Sequence, residues 1–499
     1  MTALLPVLNR RALFALLLAA PAAARSYASA EDGWISLFNG RSLDGWKAGE
    51  RAESFSVAEG CIVASGGRSH LYYTGPAHQA DFKNFEFSAD VMTDPRANSG
   101  IYFHTAFQPE GWPKAGFEVQ VANTYPGDNK KTGSLYGVRN VYKQFMADNQ
   151  WFTMKILVRG KRVQIRLNEM LVVDYVEPAE PFRADLNFER VLGHGTFALQ
   201  GHDPKSTTRF RNLRVRALPD DATSGSSGPE DKPIVDELYR EVIRLGTENY
   251  PVVDYHVHLK GGLTLDQALA NSHRLGIFYG IAINCGLGFP VHSDASVQDY
   301  LATMKGAACY VALQGEGREW MTLTNPESIA RFDYCFTDAM TFRDDKGYRR
   351  RLFVPEEMGD LSDPEGFMET YVTRIEAVMH EPIDIYANPT YLPKPLVPNY
   401  DALWTAARMK RVIDAAIEQD VAIEINNRYK IPSPAFIKAA KAAGAKFSFG
   451  TNNAEAELGR MEYALQMVEE CGLKWQDIFV PKPDGKKPIQ VKKWRATGY

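Results

Sequence analysis

Residues 252–259 read VVDYHVHL, and this stretch decides the fold expected for the second half of the chain. Its apolar residues alternate with Asp254, His256 and His258, as in a β-strand that places its polar side chains on one side. Neutral imidazoles two residues apart can reach one ion, and they suit Zn, Mn, Fe or Ni better than hard cations. The alternative is a polar strand face with chance histidines, although burying these groups unpaired is costly. The stretch therefore predicts a metal-binding strand.

The sequence after residue 234 alternates apolar strands with amphipathic helices. Residues 264–267 (TLDQ) form a capping box that opens a helix ending at Gly276. Seven strand–helix alternations predict a (β/α) barrel, whose chemistry lies at the carboxyl ends of its strands. The predicted strands begin at Val252, Phe278, Tyr310, Tyr334, Ile383, Val421 and Phe447.

Polar residues follow most of these predicted strands, at the end where barrel chemistry is expected. They are His256, His258, Glu316, Asp338, Asn388, Glu424 and Asn452. Over residues 234–485 this order resembles the polymerase-and-histidinol-phosphatase family of metal-dependent seven-stranded barrels. The resemblance implies a divalent metal, Zn, Mn or Fe. It implies metal ligands at His256, His258, Glu316, Asp338, Asn388 and Asn452.

Two places depart from that family's pattern. The family has histidine where Asn388 stands, and aspartate and histidine where Asn452 and Ala454 stand. Three alternatives stay open: one metal bound by His256, His258 and Glu316, an empty site, or several metals with unusual ligands. His292 is either a further ligand or a surface loop residue.

Residues 33–218 contain short strands broken by Gly, Asn, Asp and Pro. Asn168-Glu169 lies between two of these strands and predicts a hairpin tip. Regularly spaced strands of this kind predict an all-β sandwich or jelly roll. The clearest predicted strands span residues 85–92, 99–104, 117–121, 152–159, 162–167 and 197–201.

Alternation along three of these strands separates an apolar face from a polar one. A solvated outer face is the alternative, but it would usually carry Lys, Thr and Ser rather than aromatic rings beside His and Glu. The pattern therefore favours a concave sugar-binding face, with rings against a pyranose and polar groups at its hydroxyls. Glu118 is the acidic residue of this face, which carries Tyr102, His104, Glu118, Gln120, Gln200 and His202.

Seven segments of the first half resemble the 3-keto-disaccharide hydrolase domain family in content and order. The resemblance implies a concanavalin-like jelly-roll fold and activity on 3-keto-glycosides. It implies Glu118 as the catalytic base and His104 or His202 as proton donor, although the family pattern has arginine at His104. The implied substrate-binding residues are Tyr102, Gln120, Tyr136 and Gln200. The segments are LFNGRSLDGW (37–46), NSGIYFH (98–104), GFEVQV (116–121), TGSLYGV (132–138), WFTMKILVRG (151–160), GTFALQGHD (195–203) and FRNLRV (210–215).

Length and charge limit the remaining choices. A chain of 499 residues exceeds what one core usually supports, which predicts two domains. The net charge of -4 and the absence of a Lys/Arg-rich run argue against nucleic acid or an anionic membrane as the main partner. A small or oligomeric carbohydrate fits better. The five cysteines are scattered and odd in number, so they predict no disulfide framework.

The first thirty residues have the pattern of an export signal. Arg10 and Arg11 precede the apolar run 12–20, and residues 28–30 (ASA) supply a small-residue cleavage site. The run is too short to span a bilayer, so a retained anchor is the weaker alternative. The arginine pair resembles a twin-arginine signal. We expect a periplasmic or secreted protein.

The predicted organisation is a signal peptide at 1–30, a sandwich at 31–218, a flexible linker at 219–233 and a barrel at 234–499. No apolar residue bridges the linker, which predicts two independently folding halves. The leading function is an exported enzyme that cleaves 3-keto-glycosides by C2 proton abstraction and β-elimination, with the barrel acting on a related step. A second possibility is a carbohydrate-binding sandwich that delivers a metal-dependent hydrolase or isomerase barrel to a polymer. A third is a non-catalytic surface binder.

Overall fold

The computed structural model describes residues 32–225, 232–344 and 346–492. The predicted signal at 1–30 lies outside these residues, as do residues 226–231 of the predicted linker. No helix in the described ranges is long and apolar enough to cross a membrane. The first half is built from antiparallel sheets and the second around a closed parallel barrel.

Two antiparallel sheets form the first half of the chain. The larger sheet has the order β11-β10-β9-β6-β13-β4-β3, with β1 also paired to β13, and the smaller has the order β2-β5-β12-β7-β8. The strands are β1 (Ile35–Ser36), β2 (Trp46–Ala48), β3 (Phe55–Ala58), β4 (Cys61–Ser65), β5 (Ser69–Tyr73), β6 (Phe85–Thr93), β7 (Ser99–Thr105), β8 (Phe117–Val121), β9 (Phe152–Arg159), β10 (Arg162–Leu167), β11 (Met170–Val176), β12 (Thr196–Gly201) and β13 (Thr207–Ala217).

Local sequence explains these elements well. The alternation of β9 and β10 buries every second side chain, as expected for a sheet with one face on the core. The hairpin between β10 and β11 turns at Asn168, whose positive φ of 53° suits asparagine. The predicted sandwich-like arrangement and the hairpin tip are thereby confirmed.

Seven parallel strands close the barrel of the second half, in the order β14-β15-β16-β17-β20-β21-β22. The strands are β14 (Val253–Val257), β15 (Phe278–Cys285), β16 (Tyr310–Gly315), β17 (Tyr334–Thr337), β20 (Ile385–Tyr386), β21 (Ala422–Asn426) and β22 (Phe447–Gly450), with a separate hairpin of β18 (Thr341–Arg343) and β19 (Arg349–Arg351). The prediction of a seven-stranded parallel barrel is confirmed.

Helices lie between the barrel strands along the chain, but unevenly. The predicted capping box opens α2, where Thr264 accepts from the Gln267 amide and the helix ends at Gly276 with φ 72°. Two short helices, α4 and α5, stand where a full helix was expected after β16, so the strand–helix repeat is irregular. The helices are α1 (Glu237–Thr247), α2 (Leu265–Leu275), α3 (Asp294–Thr303), α4 (Trp320–Leu323), α5 (Pro326–Ile329), α6 (Pro364–Met379), α7 (Tyr400–Leu403), α8 (Ala406–Glu418), α9 (Pro434–Ala443), α10 (Glu462–Glu470) and α11 (Pro488–Val491).

The two halves pack against each other through apolar and polar contacts. The Tyr142 and Phe278 ring centroids lie 6.2 Å apart, and the Tyr310 hydroxyl donates to the Tyr142 carbonyl at 2.6 Å. Lys143 pairs with Asp333 at 2.6 Å. The buried apolar residues of both halves form one continuous cluster. The loop after β8 carries aromatic residues onto the barrel, so the two halves share an apolar interface. Independent folding of the two halves stays a prediction.

The segment between β8 and β9, residues 122–151, lies along the free edge of β8. The Tyr136 amide donates to the Glu118 carbonyl, and the Gln120 amide donates to the Ser134 carbonyl, both at 2.9 Å. A single antiparallel bridge joins Val119 to Leu135. Loops of this length without regular structure are usually functional. This one, the edge segment, continues the sheet and lies beside Glu118.

Candidate active site

Glu118 stands on β8 in the smaller sheet of the sandwich, directly opposite Tyr102 on β7. The Tyr102 hydroxyl donates to Glu118 Oε2 at 2.8 Å, and the Gln200 side-chain amide donates to Oε1 at 3.0 Å. Gln200 also donates to the Tyr102 hydroxyl at 3.1 Å. Strand register therefore brings together three residues that the sequence places on one polar face.

A glycine makes room for this carboxylate. Gly100 lies on β7 opposite Gln120, and a Cβ atom there would stand 2.5 Å from Glu118 Oε1. No side chain fits at that separation without displacing the carboxylate. The glycine of the NSGIYFH segment is thereby explained by the geometry of the site.

The charge state of Glu118 is set mainly by its surroundings. Burial raises the pKa of Glu118 to about 7, against the lowering effect of Tyr102, Arg190 and Gln200. Burial also raises the pKa of Tyr102 well above its ordinary value, so that its hydroxyl stays protonated. Glu118 can thus take up or release a proton near neutral pH.

Glu118 faces a cavity of about 380 Å³. The residues predicted from the strand faces that line it are Tyr102, Glu118, Gln120, Tyr136, Gln200 and His202. Loops and an adjoining helix supply the rest of the lining: Asn98, Trp112, Pro113, Gly116, Tyr125, Gly127, Asp128, Asp185, Phe188, Arg190 and Thr247. Two of the lining groups, Gln200 Oε1 and Asn98 Oδ1, are buried without a hydrogen-bond partner among the described residues. Both can accept from a bound hydroxyl.

The edge segment places a second polar group beside Glu118. The Tyr136 hydroxyl donates to Asp128 Oδ2 at 2.8 Å, and the buried Lys130 ammonium lies 3.1 Å from Asp128 Oδ1. The cavity therefore contains carboxylates besides Glu118, against the expectation drawn from the strand faces. Asp128 was missed because it lies in a loop, where alternation gives no signal. The Asp128 carboxylate is already paired through both oxygens.

His202 lines the cavity among aromatic rings. Its ring centroid lies 5.5 Å from that of Trp112 and 5.6 Å from that of Tyr125. Its Nδ1 lies 2.8 Å from Asp203 Oδ2. Although burial opposes the effect, hydrogen bonds from His202 and Ser206 lower the pKa of Asp203. The carboxylate orients the ring, as in many histidines that exchange protons.

The structure places His104 away from this cavity. Its φ of 55° lies in the left-handed region, and this reverses the alternation that predicted its side chain beside Tyr102. His104 Nε2 lies 2.8 Å from the Lys83 carbonyl oxygen, and the Gly193 amide donates to Nδ1. Its ring packs against Phe85 and Phe103. Both ring nitrogens are hydrogen-bonded to backbone atoms, so the His104 side chain does not contact Glu118.

The barrel brings a second polar cluster together. His256 and His258 stand on β14 with ring centroids 5.1 Å apart. His256 Nδ1 lies 2.6 Å from Glu424 Oε1, and His258 Nδ1 lies 3.0 Å from the Ala282 carbonyl oxygen. Both Nε2 atoms are buried without a partner in the described part of the chain. Imidazoles held at Nδ1 by a carboxylate or carbonyl present Nε2 as metal ligands do.

Hydrogen bonds connect most of the other predicted ligands of the barrel to one another. Asn388 donates to Asp338 Oδ2 at 2.8 Å and accepts from Asn426 and Asn452 at 3.0 and 2.9 Å. Burial, then Asp338, raises the pKa of Glu316 to about 7.

Two acidic side chains of the barrel, Glu316 and Asp254, also accept hydrogen bonds from neighbouring residues. Glu316 Oε1 accepts from Asn284 at 2.7 Å. Asp254 accepts from the backbone amides of His256 and Thr451 and so holds two strands together. His292 has an exposed side chain in the loop after β15. Within residues 32–225, 232–344 and 346–492, no three His, Cys, Asp or Glu side chains form a group that could hold a metal ion. The predicted metal site stays a prediction.

Residues 33–216 match the sequence model of a family described as the 3-keto-alpha-glucoside-1,2-lyase-like domain. A curated 3-keto-disaccharide hydrolase from Bacteroides thetaiotaomicron is 24% identical over 231 residues, which cover 38% of this chain and 79% of that protein. Residues 33–216 are therefore similar to a 3-keto-disaccharide hydrolase domain. The barrel lies outside the matched residues.

Solved structures give weaker similarity. A protein from Parabacteroides distasonis, provisionally assigned as a glycosyl hydrolase, is 23% identical with a TM-score of 0.34, covering 38% of this chain and 94% of that chain. The carbohydrate-binding module CBM66 from Bacillus subtilis is 18% identical with a TM-score of 0.25, covering 35% of this chain and 96% of that chain.

Proposed function

We propose that the sandwich cleaves 3-keto-glycosides with Glu118 as the base. The observation that carries the proposal is the Glu118 carboxylate, held by Tyr102 and Gln200 at a cavity, with a pKa of about 7. The match of residues 33–216 to a 3-keto-glucoside lyase-like family supplies the substrate class. Export by the predicted signal at residues 1–30 would bring the enzyme to sugars outside the cytoplasm.

The reaction proceeds by elimination followed by hydration. A ketone at C3 acidifies the C2 hydrogen, so Glu118 takes that proton and the electron pair moves into an enolate on O3. The enolate collapses to a C1–C2 double bond, and the C1–oxygen bond breaks with its electrons on the leaving oxygen. We assign to His202 the role of donating a proton to this leaving oxygen. Water then adds across the double bond to give the free 3-keto sugar.

Other lining residues suit the binding of a pyranose. Trp112 and Tyr125 offer rings at the side of the cavity where His202 lies. Gln200 Oε1 and Asn98 Oδ1 can each accept from a sugar hydroxyl. Asp128 carries a second carboxylate, but its pairing with Lys130 and Tyr136 makes it a poor second acid for a two-carboxylate glycosidase.

The test compares a disaccharide with its 3-keto derivative in deuterated water. The parent protein is expected to cleave only the keto sugar and to exchange its C2 proton with solvent. Glu118→Gln is expected to lose both cleavage and exchange, because an amide cannot accept the proton. Equal turnover of the two sugars, or cleavage of the keto sugar by Glu118→Gln at the parent rate, would contradict the mechanism.

We propose as a second activity that the barrel binds one divalent transition metal. The two unpartnered Nε2 atoms of His256 and His258 support it. Glu316, the third ligand predicted from the sequence, forms no three-residue metal-binding group with them among the described residues. Such a metal would polarise a carbonyl or activate water in a step on the same sugar. Elemental analysis is expected to find one metal per chain in the parent and none after the joint changes His256→Ala and His258→Ala. Equal metal content in both proteins would exclude this site.

A further inference from the structure

The second half of the chain reaches into the neighbourhood of the sandwich cavity. Thr247, the last residue of α1, is one of the residues that line it. The Thr247 hydroxyl lies 3.3 Å from the Gly137 carbonyl oxygen. A Cβ atom at Gly246 would stand 2.6 Å from Asn140 Nδ2, so glycine permits α1 to approach the edge segment closely. The end of α1 therefore packs directly on the edge segment.

Asn249, two residues after α1, holds the edge segment by accepting two hydrogen bonds from Asn129. The Asn129 amide donates to Asn249 Oδ1, and Asn129 Nδ2 donates to the Asn249 carbonyl, both at 2.8 Å. The Lys130 ammonium lies 3.4 Å from Asn249 Oδ1. Asn249 has a φ of 73°, a conformation that asparagine tolerates better than most residues.

Lys130, which Asn249 contacts, is connected through Asp128 to residues of the cavity wall. Lys130 is buried and pairs with Asp128, whose other oxygen accepts from the Tyr136 hydroxyl. The Lys130 ammonium also lies 4.7 Å from the centroid of the Tyr136 ring. Asp128 and Tyr136 line the cavity that Glu118 faces. A chain of contacts thus runs from the barrel half to the wall beside the base.

We infer that Asn249 is a positioning residue of the sandwich site, and that the second half thereby completes the substrate cavity of the first. The sugar substrate in this inference rests on the proposed function. The series of contacts from Asn249 to the cavity wall does not depend on it. Asn249 touches no substrate. It fixes Asn129 and Lys130, and through them the two side chains that close the cavity wall.

The full-length protein is compared with Asn249→Gly and Asn249→Asp. Glycine accepts the positive φ and keeps the backbone carbonyl, but it removes Oδ1. Aspartate keeps an oxygen at that position and tolerates the same backbone conformation. Loss of the hydrogen bond from the Asn129 amide and of the longer one from Lys130 predicts that Asn249→Gly raises KM for a 3-keto-disaccharide roughly threefold to tenfold with kcat little changed, and that Asn249→Asp keeps the parent KM.

Amide hydrogen exchange gives a readout that does not depend on activity. Residues 127–138 are expected to exchange faster in Asn249→Gly than in the parent and at the parent rate in Asn249→Asp. If they exchange equally in all three proteins, the inference is wrong. It is also wrong if exchange rises while KM stays at the parent value. If exchange follows the expectation and the parent cleaves no 3-keto-glycoside, the positioning role stands and the proposed function fails.

Lys143→Met provides a matched control on the same interface. It removes the contact between Lys143 and Asp333, which joins the two halves and is not part of the cavity lining. It is expected to lower the melting temperature without changing KM or the exchange of residues 127–138. A rise in KM as large as that of Asn249→Gly would show that any loosening of the interface has this effect, and it would overturn the specific role of Asn249.

Discussion

Glu118 in the sandwich is half-buried and Glu424 in the barrel is buried, and their pKa values shift in opposite directions. Each carboxylate lies against a glycine, Gly100 or Gly450, whose Cβ atom would stand 2.5 or 2.1 Å from it. Burial, then Asp128, raises the pKa of Glu118 to about 7. The pKa of Glu424 is lowered despite burial.

The difference lies in the partners of each carboxylate. Glu118 accepts from neutral Tyr102 and Gln200 and faces a cavity. Glu424 is enclosed and interacts with His256, the Asn388 backbone amide and the Asn426 side chain. The neutral donors of Glu118 lower its pKa by less than burial raises it. Glu118 can therefore exchange a proton near neutral pH. An imidazole and two further donors keep Glu424 as an anion that orients His256.

The largest expected effect tests whether the chemistry belongs to the sandwich. Glu118→Gln should reduce cleavage of a 3-keto-disaccharide by about a hundredfold or more, because it removes the base. The joint changes His256→Ala and His258→Ala should leave this cleavage at the parent rate. Initial rates of the three purified proteins check both. A reversed pattern would move the chemistry to the barrel.

The next effect concerns folding stability. Glu424→Ala leaves His256 and two buried donors without their acceptor and should lower the free energy of unfolding by about 3–5 kcal/mol. Glu118→Ala removes a carboxylate that burial opposes, so it should change that free energy by less than about 1 kcal/mol. Urea unfolding at pH 7 measures both. Equal losses would show that the two carboxylates contribute alike to folding.

The pH dependence of stability should have opposite signs at the two sites. The pKa of Glu118 rises from 4.5 to about 7 on folding, so stability present below pH 4.5 is lost as pH rises towards 7. Glu118→Gln should remove a decline of about 1–3 kcal/mol over that interval. The pKa of Glu424 falls on folding, so its contribution is present above pH 4.5 and is lost as pH falls further. Unfolding of the parent, Glu118→Gln and Glu424→Gln from below pH 4 up to pH 8 checks these signs.

The smallest effect comes from the paired glycines. Gly100→Ala should displace the Glu118 carboxylate and slow cleavage about tenfold, with little loss of stability. Gly450→Ala should crowd Glu424 and His256 and destabilise the fold by about 1–3 kcal/mol, with the cleavage rate unchanged. Kinetics and thermal unfolding of both variants separate these outcomes. If Gly100→Ala has the parent rate, the carboxylate does not need the space above that glycine.

Local pattern predicted most of the architecture. Alternation and turn residues located the sandwich strands and the hairpin at Asn168, and the capping box located α2. Strand register then explains why Tyr102, Glu118 and Gln200 converge. These features depend on residues close in sequence or on regular pairing, which a single chain displays.

The parts that pattern did not predict depend on irregular backbone and distant contacts. The positive φ of His104 removes its side chain from the polar face, and no alternation rule contains that reversal. Asp128 and Arg190 reach the cavity from loops. Asn249 meets Asn129 across the two halves of the chain, a contact with no sequence signal. The prediction of metal ligands in the barrel came from a family resemblance. That resemblance does not include the hydrogen bond that the Asn388 side-chain amide donates to Asp338.

The edge segment covers a strand edge through which copies of this protein could otherwise associate. β8 is the last strand of its sheet, and an uncovered last strand invites pairing with another molecule. The segment satisfies the backbone of Glu118 and Gln120, so that edge is not open to a neighbouring chain. Shortening residues 122–151 would therefore do more than reshape the pocket. It would expose a strand able to recruit further molecules, and self-association would limit how freely this loop can change in length.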